Sequence, residues 1–193
     1  MTEEISTQIL DAAEARFRTY GFGKTTMAEI ASDIDMSTAN LYRYFENKLA
    51  IGSAMADRCF CERANILSEI VNRPNISESE RLKFFVLAML DYEHGQFSNE
   101  PKLLELVDVI VNKRPDLVQF QVERDQNFVA VILQQGCDRD EFEVENVDEM
   151  SSYVLAAVVK FSSPFFITIY PIEELQRLAN GVVALILNGL VKK

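Results

Sequence analysis

The sequence predicts an all-α protein, and three observations carry that prediction. Apolar residues recur at intervals of three and four in segment after segment, which is the period of a helix with one buried face. Two Ser/Thr-x-x-Glu capping boxes, beginning at Thr26 and Ser77, mark helix starts. No segment shows the strict alternation of apolar and polar residues that a half-buried strand requires. The chain has 193 residues, 48% of them hydrophobic, so it can bury a core in one or two domains.

The N-terminal quarter is predicted to form three helices. Gly21 ends the first helix, because glycine tolerates the left-handed conformation found at helix C-termini. The capping box at Thr26 opens the second helix, and Ser37 caps the third. The predicted ranges are about 3–20, 27–34 and 37–45.

Six longer helices are predicted in the rest of the chain. Gly136 is expected to stop the second-longest of them, and Pro164 is expected to kink or end the next. The predicted ranges are about 47–71, 77–94, 101–113, 115–135, 146–165 and 171–190.

The second and third helices, joined by a tight turn, match the helix-turn-helix plan, in which the second helix enters the major groove of DNA. Leu41 and Phe45 form the inward edge of that helix, which leaves small and polar residues on its outer face. The groove is about 12 Å wide and admits one helix. From spacing alone, an ordinary helix pair inside an all-α protein remains an open alternative.

Three segments between Ile9 and Lys48 resemble the TetR family of transcriptional regulators: ILDAAEARFRTYGF, TTMAEIASDI and MSTANLYRYFENK. The matching features are the Gly-Phe pair after the first helix, the Thr pair before the second, and LYRYF with a following lysine after the third. The resemblance covers about a quarter of the chain. It implies an N-terminal three-helix helix-turn-helix DNA-binding domain, residues 1–47, followed by a larger helical ligand-binding and dimerisation domain, residues 48–193.

By the same resemblance, the candidate readers of base edges are Thr38, Ala39 and Arg43. Arg43 can contact guanine with two hydrogen bonds, and Asn40 can contact adenine if it faces the groove. Two alternatives stay open: Asn40 caps its own helix, and Tyr44 packs against the first helix. The candidate phosphate contacts are Thr26, Ser37, Tyr42, Tyr44 and Lys48.

The formal net charge of −11 is unusual for a DNA-binding protein, because neutralisation of phosphates normally contributes much of the affinity. Residues 1–48 carry five Lys/Arg and eight Asp/Glu, so this region is itself mildly acidic. Lys24, Arg43 and Lys48 are expected to form a compact basic surface. Nonspecific binding should therefore be weak and strongly dependent on salt.

The last two helices carry more apolar surface than one buried face needs. A fully buried pair of helices is one explanation. The other, favoured by the resemblance, is a two-fold interface in which two helices of each subunit form a four-helix bundle. The predicted interface residues are Met150, Val154, Ala157, Phe161, Leu175, Ala179, Val182 and Ile186.

The resemblance also implies an effector cavity in the larger domain. Its helices show no strong basic cluster, so an apolar or weakly polar small molecule is expected. For each candidate, a place in the hydrophobic core is the alternative. The candidate lining residues are Phe84, Phe85, Met89, Tyr92, Phe120, Phe128, Phe161 and Phe165.

Other functional classes are weakly supported by the sequence. There is no Gly-rich phosphate loop, no GxSxG motif and only one histidine, so no enzyme, cofactor or metal is expected. Three cysteines without a framework and an acidic N-terminus predict a cytoplasmic protein. Lys160 and Pro164 interrupt the longest apolar region, which argues against a membrane span. The expected function is a ligand-responsive repressor that binds a palindromic operator as a dimer, and the alternative is a helical interaction module that has lost DNA binding.

Overall fold

The computed structural model describes the backbone from Thr2 to Val191 and the side chains from Glu4 to Val191. Met1 and the last two lysines, which the predicted domain ranges include, lie outside the described residues. Within this part of the chain there are no β-strands, only an isolated antiparallel bridge between Phe142 and Val191. The all-α prediction is confirmed. The helices are α1 Thr2–Tyr20, α2 Met27–Asp33, α3 Thr38–Leu41, α4 Lys48–Val71, α5 Glu78–Phe97, α6 Leu103–Lys113, α7 Pro115–Asp138, α8 Val147–Val158, the 3₁₀ helix Val159–Phe161, α9 Pro164–Ile167 and α10 Ile172–Leu190.

The helices are distributed over two compact units. Unit 1 consists of Met1–Phe60 and Glu100–Gln119, and therefore contains α1 to α3, the first half of α4, and α6. Unit 2 consists of Cys61–Asn99 and Phe120–Lys193. Both α4 and α7 begin in unit 1 and end in unit 2, so the chain passes between the units within continuous helices.

The core of unit 1 holds the helix-turn-helix against α1. Phe17 of α1, Ile30 of α2 and Leu41 of α3 are fully buried. The Phe17 ring also lies 5.1 Å from the Phe22 ring, centroid to centroid. Full burial of large apolar side chains stabilises a fold by about 1.5–3 kcal/mol each. The short α3 is therefore fixed in unit 1 by Leu41.

Unit 2 is organised around α5, which packs against α9, α10 and the 3₁₀ helix. Its start is tied to the end of α4 by Arg81, which donates hydrogen bonds to the carbonyl oxygens of Ile70 and Val71. The same guanidinium donates to the buried Glu78 carboxylate at 2.7 Å. Three helix ends thus gain partners for groups that would otherwise be buried without hydrogen bonds.

Some predicted helix ends differ from the structure. The α-helical part of α3 ends at Leu41, not near Phe45, because the N–H groups of Arg43 and Tyr44 bond to carbonyls three residues back, the 3₁₀ pattern. Gly136 does not stop α7. It is buried inside the helix, where a Cβ would overlap the ring of Phe142.

The predicted helix over residues 146–165 is divided into α8, the 3₁₀ helix and α9. Pro164 is the first residue of α9, a position that suits proline because the N–H there has no helical partner. By length and composition alone the stretch Val147–Ile167, with a mean hydropathy of 1.4, is apolar enough to cross a membrane. The structure breaks this stretch into three short helices.

Candidate nucleic-acid interface

The start of α2 is fixed by the predicted capping box. The Thr26 hydroxyl accepts a hydrogen bond from the Glu29 N–H, and the Glu29 carboxylate accepts one from the Thr26 N–H at 2.8 Å. These hydrogen bonds to Thr26 hold the pKa of Glu29 below its usual value. The Thr26 hydroxyl also donates to the Glu29 carboxylate. Thr26 remains exposed, but its hydroxyl first serves to begin the helix.

The turn between α2 and α3 depends on one left-handed residue. Asp35 has a φ of 51°, a conformation that aspartate tolerates better than most residues. The N–H of Met36 bonds to the carbonyl of Ala31 at 2.9 Å, which closes the end of α2. The Ser37 hydroxyl then accepts from the Asn40 N–H at 3.2 Å and caps α3 as predicted. The direction of α3 is set by these local bonds.

The predicted DNA-contacting side chains surround the buried Leu41 on one exposed segment. Tyr42 is 52% exposed, and Ala39 and Arg43 are exposed as well. Thr38 and Asn40 are half-buried, as is Tyr44. We call residues 38–43 the outer surface of α3. A segment of this width presents small side chains and one guanidinium to solvent, which is the chemistry suited to a major groove.

Most acidic groups near the outer surface of α3 are paired with arginine. The Arg16 guanidinium bonds to both Asp33 oxygens, at 2.5 and 2.8 Å, and lies 3.5 Å from Glu29. The hydrogen bond from Arg16 lowers the pKa of Asp33. Lys24 and Arg43, in contrast, are exposed and form no ion pair with a described residue. An acidic chain can thus still present local positive charge.

Lys48 is placed differently from the other predicted phosphate contacts. Its ammonium group donates to the carbonyl oxygens of Phe22 and Thr25, at 2.5 and 2.7 Å, and lies 4.5 Å from the Phe22 ring centroid. Partial burial lowers the pKa of this group. Lys48 therefore ties the start of α4 to the loop between α1 and α2. Its contact with phosphate stays a prediction.

Two residues of α6 and its preceding turn contact the same loop, and sequence analysis missed both. The Glu105 carboxylate accepts from the Gly23 N–H at 2.9 Å, and the Lys102 ammonium donates to the Thr19 carbonyl oxygen. Each contact joins residues more than 80 positions apart. Local patterns contain no signal for a pairing over such a distance. Among the described residues, unit 1 is thus completed by a segment from the middle of the chain.

The predicted effector-binding residues do not share one surface. Phe120 is 59% exposed and Phe165 is 43% exposed. Two surface pockets of unit 2, with volumes of about 390 and 690 Å³, contain none of the eight predicted residues in their linings. The core alternative therefore holds for the buried members, Phe85, Met89 and Phe161, while Phe84, Tyr92 and Phe128 are half-buried.

Half of the predicted dimer-interface residues are buried in unit 2 itself, which corrects their assignment. The core of unit 2 includes Val154, Phe161, Leu175 and Ala179, each at most 2% exposed. The sequence pattern shows that α8 and α10 are broadly apolar but not which stripe faces their own core. Met150, Val182 and Ile186 are half-buried, and Ala157 is exposed.

Together, the all-α fold and the exposed outer surface of α3 define a helix-turn-helix protein with a larger helical unit. The family described as bacterial regulatory proteins, tetR family, matches residues 9–55. The tetracyclin repressor-like C-terminal domain matches residues 79–183. The chain belongs to the TetR family of transcriptional regulators, and the resemblance seen in its first quarter is confirmed. Members of this family are DNA-binding transcription factors without enzymatic activity, in agreement with the sequence analysis.

Relatives in the comparisons agree on the fold. The biofilm operon icaADBC HTH-type negative transcriptional regulator IcaR of Staphylococcus aureus is 29% identical over 101 residues, 49% of this chain. Those residues span about half, 54%, of the length of that relative. A solved structure from Mesorhizobium loti, assigned to the TetR family, has a TM-score of 0.80 at 17% identity and covers 100% of this chain and 99% of its own. A transcriptional regulator from Cytophaga hutchinsonii has a TM-score of 0.74 at 26% identity, covering 95% and 97%.

Proposed function

We propose that this chain is a cytoplasmic transcriptional repressor that binds a palindromic operator as a homodimer and leaves it when a small effector binds. The observation that carries the proposal is the outer surface of α3, exposed around the fully buried Leu41. A relative named a negative regulator supports repression over activation. The functional division at residues 47 and 48 belongs to the same proposal.

In this proposal Arg43 is the main reader of a base edge. Its guanidinium is exposed, and a bidentate contact of arginine with guanine contributes about 1–3 kcal/mol of discrimination. Thr38, Ala39 and Asn40 read neighbouring bases. Lys24, which sequence analysis placed in the basic surface, contacts phosphate with Tyr42, Ser37, Thr26, Tyr44 and Lys48.

The homodimer is supported by apolar side chains that α8 and α10 leave in solvent. Leu185 of α10 is 73% exposed, and Tyr153 of α8 is 57% exposed. Leu178 and Val182 lie one and two turns before Leu185 and are half-buried, so they form a stripe with it. Two such faces would pair in a four-helix bundle about a two-fold axis. Two recognition helices would then meet major grooves about 34–36 Å apart.

Release by an effector requires two states with different affinity for DNA. An effector that binds unit 2 more tightly in one state can act through α4, because that helix begins in unit 1 and ends in unit 2. A preference of about 5.5 kcal/mol switches the balance from 99:1 to 1:99. The coupling must be reciprocal at equilibrium, so effector and operator must weaken each other's binding by the same factor.

The test of DNA reading compares two substitutions that each remove one exposed positive charge from unit 1. Operator duplexes are first selected from a random library with the wild-type protein, and affinities are then measured by fluorescence anisotropy. Arg43→Ala should lower affinity by a factor of about 5–150, whereas Lys113→Ala should leave it near the wild-type value. Equal affinities for both variants would contradict the proposal and support the interaction-module alternative.

A further inference from the structure

Unit 2 contains a buried cluster of charged side chains that DNA binding does not use. Arg63 comes from α4, Glu93 from α5 and Asp125 from α7. One Nη of Arg63 donates to the Glu93 carboxylate at 2.6 Å, and the other donates to the Asp125 carboxylate. The three residues are only 4–5% exposed. We call them the Arg63 cluster.

The Arg63 cluster is short of positive charge. Two carboxylates share a single guanidinium, and burial raises the pKa of both Glu93 and Asp125. The nearest additional cation is Arg124, which is half-buried and attracts Asp125 from outside the cluster. The cluster also has a spare donor, because the buried Nε of Arg63 has no hydrogen-bond partner.

Stability alone is a weak reason for such an arrangement. Apolar residues of similar volume often replace buried ion pairs without loss of stability, because desolvation of the charges is so costly. Buried groups with displaced pKa values are instead concentrated at functional sites. The arrangement also contains an unused donor beside an excess of acceptors, which is a composition suited to a polar ligand.

A line of polar groups leads from this cluster to the surface of unit 2. The Gln121 amide donates to Asp125 at 2.7 Å, and the Arg124 guanidinium donates to the Gln121 oxygen. The Arg124 guanidinium carbon lies 5.7 Å from the centroid of the exposed Phe120 ring. On α5, the residue before Glu93 is Tyr92. The outer end of the line therefore includes two aromatic residues that sequence analysis assigned to the effector.

We propose that the Arg63 cluster is the effector-recognition site and that its ligand is an organic ammonium cation. The word effector rests on the proposed function, but the cation preference does not. An ammonium group can donate to both carboxylates and supply the missing positive charge, whereas an anion at Arg63 would be repelled by Glu93 and Asp125. The expectation of an apolar effector is replaced by one with a charged group, and an aromatic or aliphatic remainder can lie near Phe120.

Binding of such a cation would also act on α4. The two carboxylates that hold Arg63 come from α5 and α7, so they connect α4 to both of its neighbours in unit 2. An ammonium group competes with the guanidinium for the same oxygens. Occupation of the site therefore loosens the connection at the middle of α4, the helix that continues into unit 1.

The experiment measures ligand binding to the full-length protein without DNA, by calorimetry. The probes are butylammonium, benzylammonium, choline and spermidine, with butanol, benzyl alcohol, butyrate and benzoate as neutral and anionic counterparts. At least one ammonium ion should bind saturably and its counterparts should not. Asp125→Asn and Glu93→Gln should each weaken that binding at least about tenfold. Glu69→Gln, which removes the same charge from the exposed side of α4, should leave it unchanged.

Several results would overturn the inference. They are the absence of saturable binding by every ammonium ion at millimolar concentration, equal binding by the alcohols, and preferential binding by the carboxylates. Circular dichroism of the two near-isosteric variants shows that a loss of binding is not a loss of folding. If ammonium ions bind as expected but leave operator affinity unchanged, the cation site stands and the proposed effector function fails.

Discussion

Gly21→Ala tests how unit 1 is built, because two separate costs meet at this residue. Gly21 has a φ of 88°, in the left-handed region, where a side chain costs about 1–2 kcal/mol. A new Cβ would also lie 2.5 Å from both carboxylate oxygens of Glu105. Displacing that carboxylate removes its hydrogen bond from the Gly23 N–H, a loss of about 1 kcal/mol. The variant should be destabilised by about 2–3 kcal/mol in total.

Urea denaturation followed by circular dichroism measures this loss, and two further variants separate its parts. In a Glu105→Ala background, Gly21→Ala should cost only the conformational part, about 1–2 kcal/mol, so the two substitutions should be coupled by about 1 kcal/mol. Gly95→Ala is the matched control: it lies inside α5 with no atom within 4 Å of the new Cβ, and should stabilise by about 0.5–1 kcal/mol. A Gly21→Ala protein as stable as wild type, or one without coupling to Glu105, would refute this description of unit 1.

Three further substitutions test other parts of the molecule. Leu185→Glu should convert a dimer to monomers in sedimentation velocity, while Ile66→Glu, at a 41% exposed site on α4, should remain dimeric; a dimeric Leu185→Glu would remove the proposed interface. Gly136→Ala should lower the unfolding free energy by about 1–3 kcal/mol in urea, because the new methyl group overlaps the Phe142 ring, and an unchanged midpoint would show that the ring moves freely. Burial raises the pKa of Glu93, so the folded protein retains a proton that the unfolded chain loses as pH rises past about 4.5, and the stability linked to that proton is present at low pH and lost as pH rises. The destabilisation caused by Glu93→Gln should therefore be larger at about pH 5 than at pH 7 in urea titrations, and the opposite order would contradict the raised pKa.

The starts of helices were predictable from sequence because their determinants are local. Thr26 and Ser77 each cap a helix together with a glutamate three residues later, and both capping boxes are present in the structure. Helix ends were less predictable where the determinant is tertiary. Gly136 has the residue type of a helix stop, but its place inside α7 is explained by the ring of Phe142, which the sequence does not place beside it.

The outer surface of α3 was predictable for the same local reason: burial of Leu41 directs its neighbours outward. Lys48 shows the limit of this reasoning. Its position after the third helix suits a phosphate contact, but the free carbonyls of Phe22 and Thr25 attract its ammonium group instead. The Arg63 cluster was beyond prediction, because its three members come from three helices and each, taken alone, has the residue type of a solvated surface position.

The central claim is that a symmetric pair of subunits presents the outer surface of α3 to operator DNA. Its most direct test is sequencing of duplexes selected from a random library by the wild-type protein and by Arg43→Ala. The account predicts an inverted repeat for the wild type and relaxed selection at one base pair, at symmetric positions in both half-sites, for the variant. Enrichment of no inverted repeat, or identical selection by the two proteins, would contradict it.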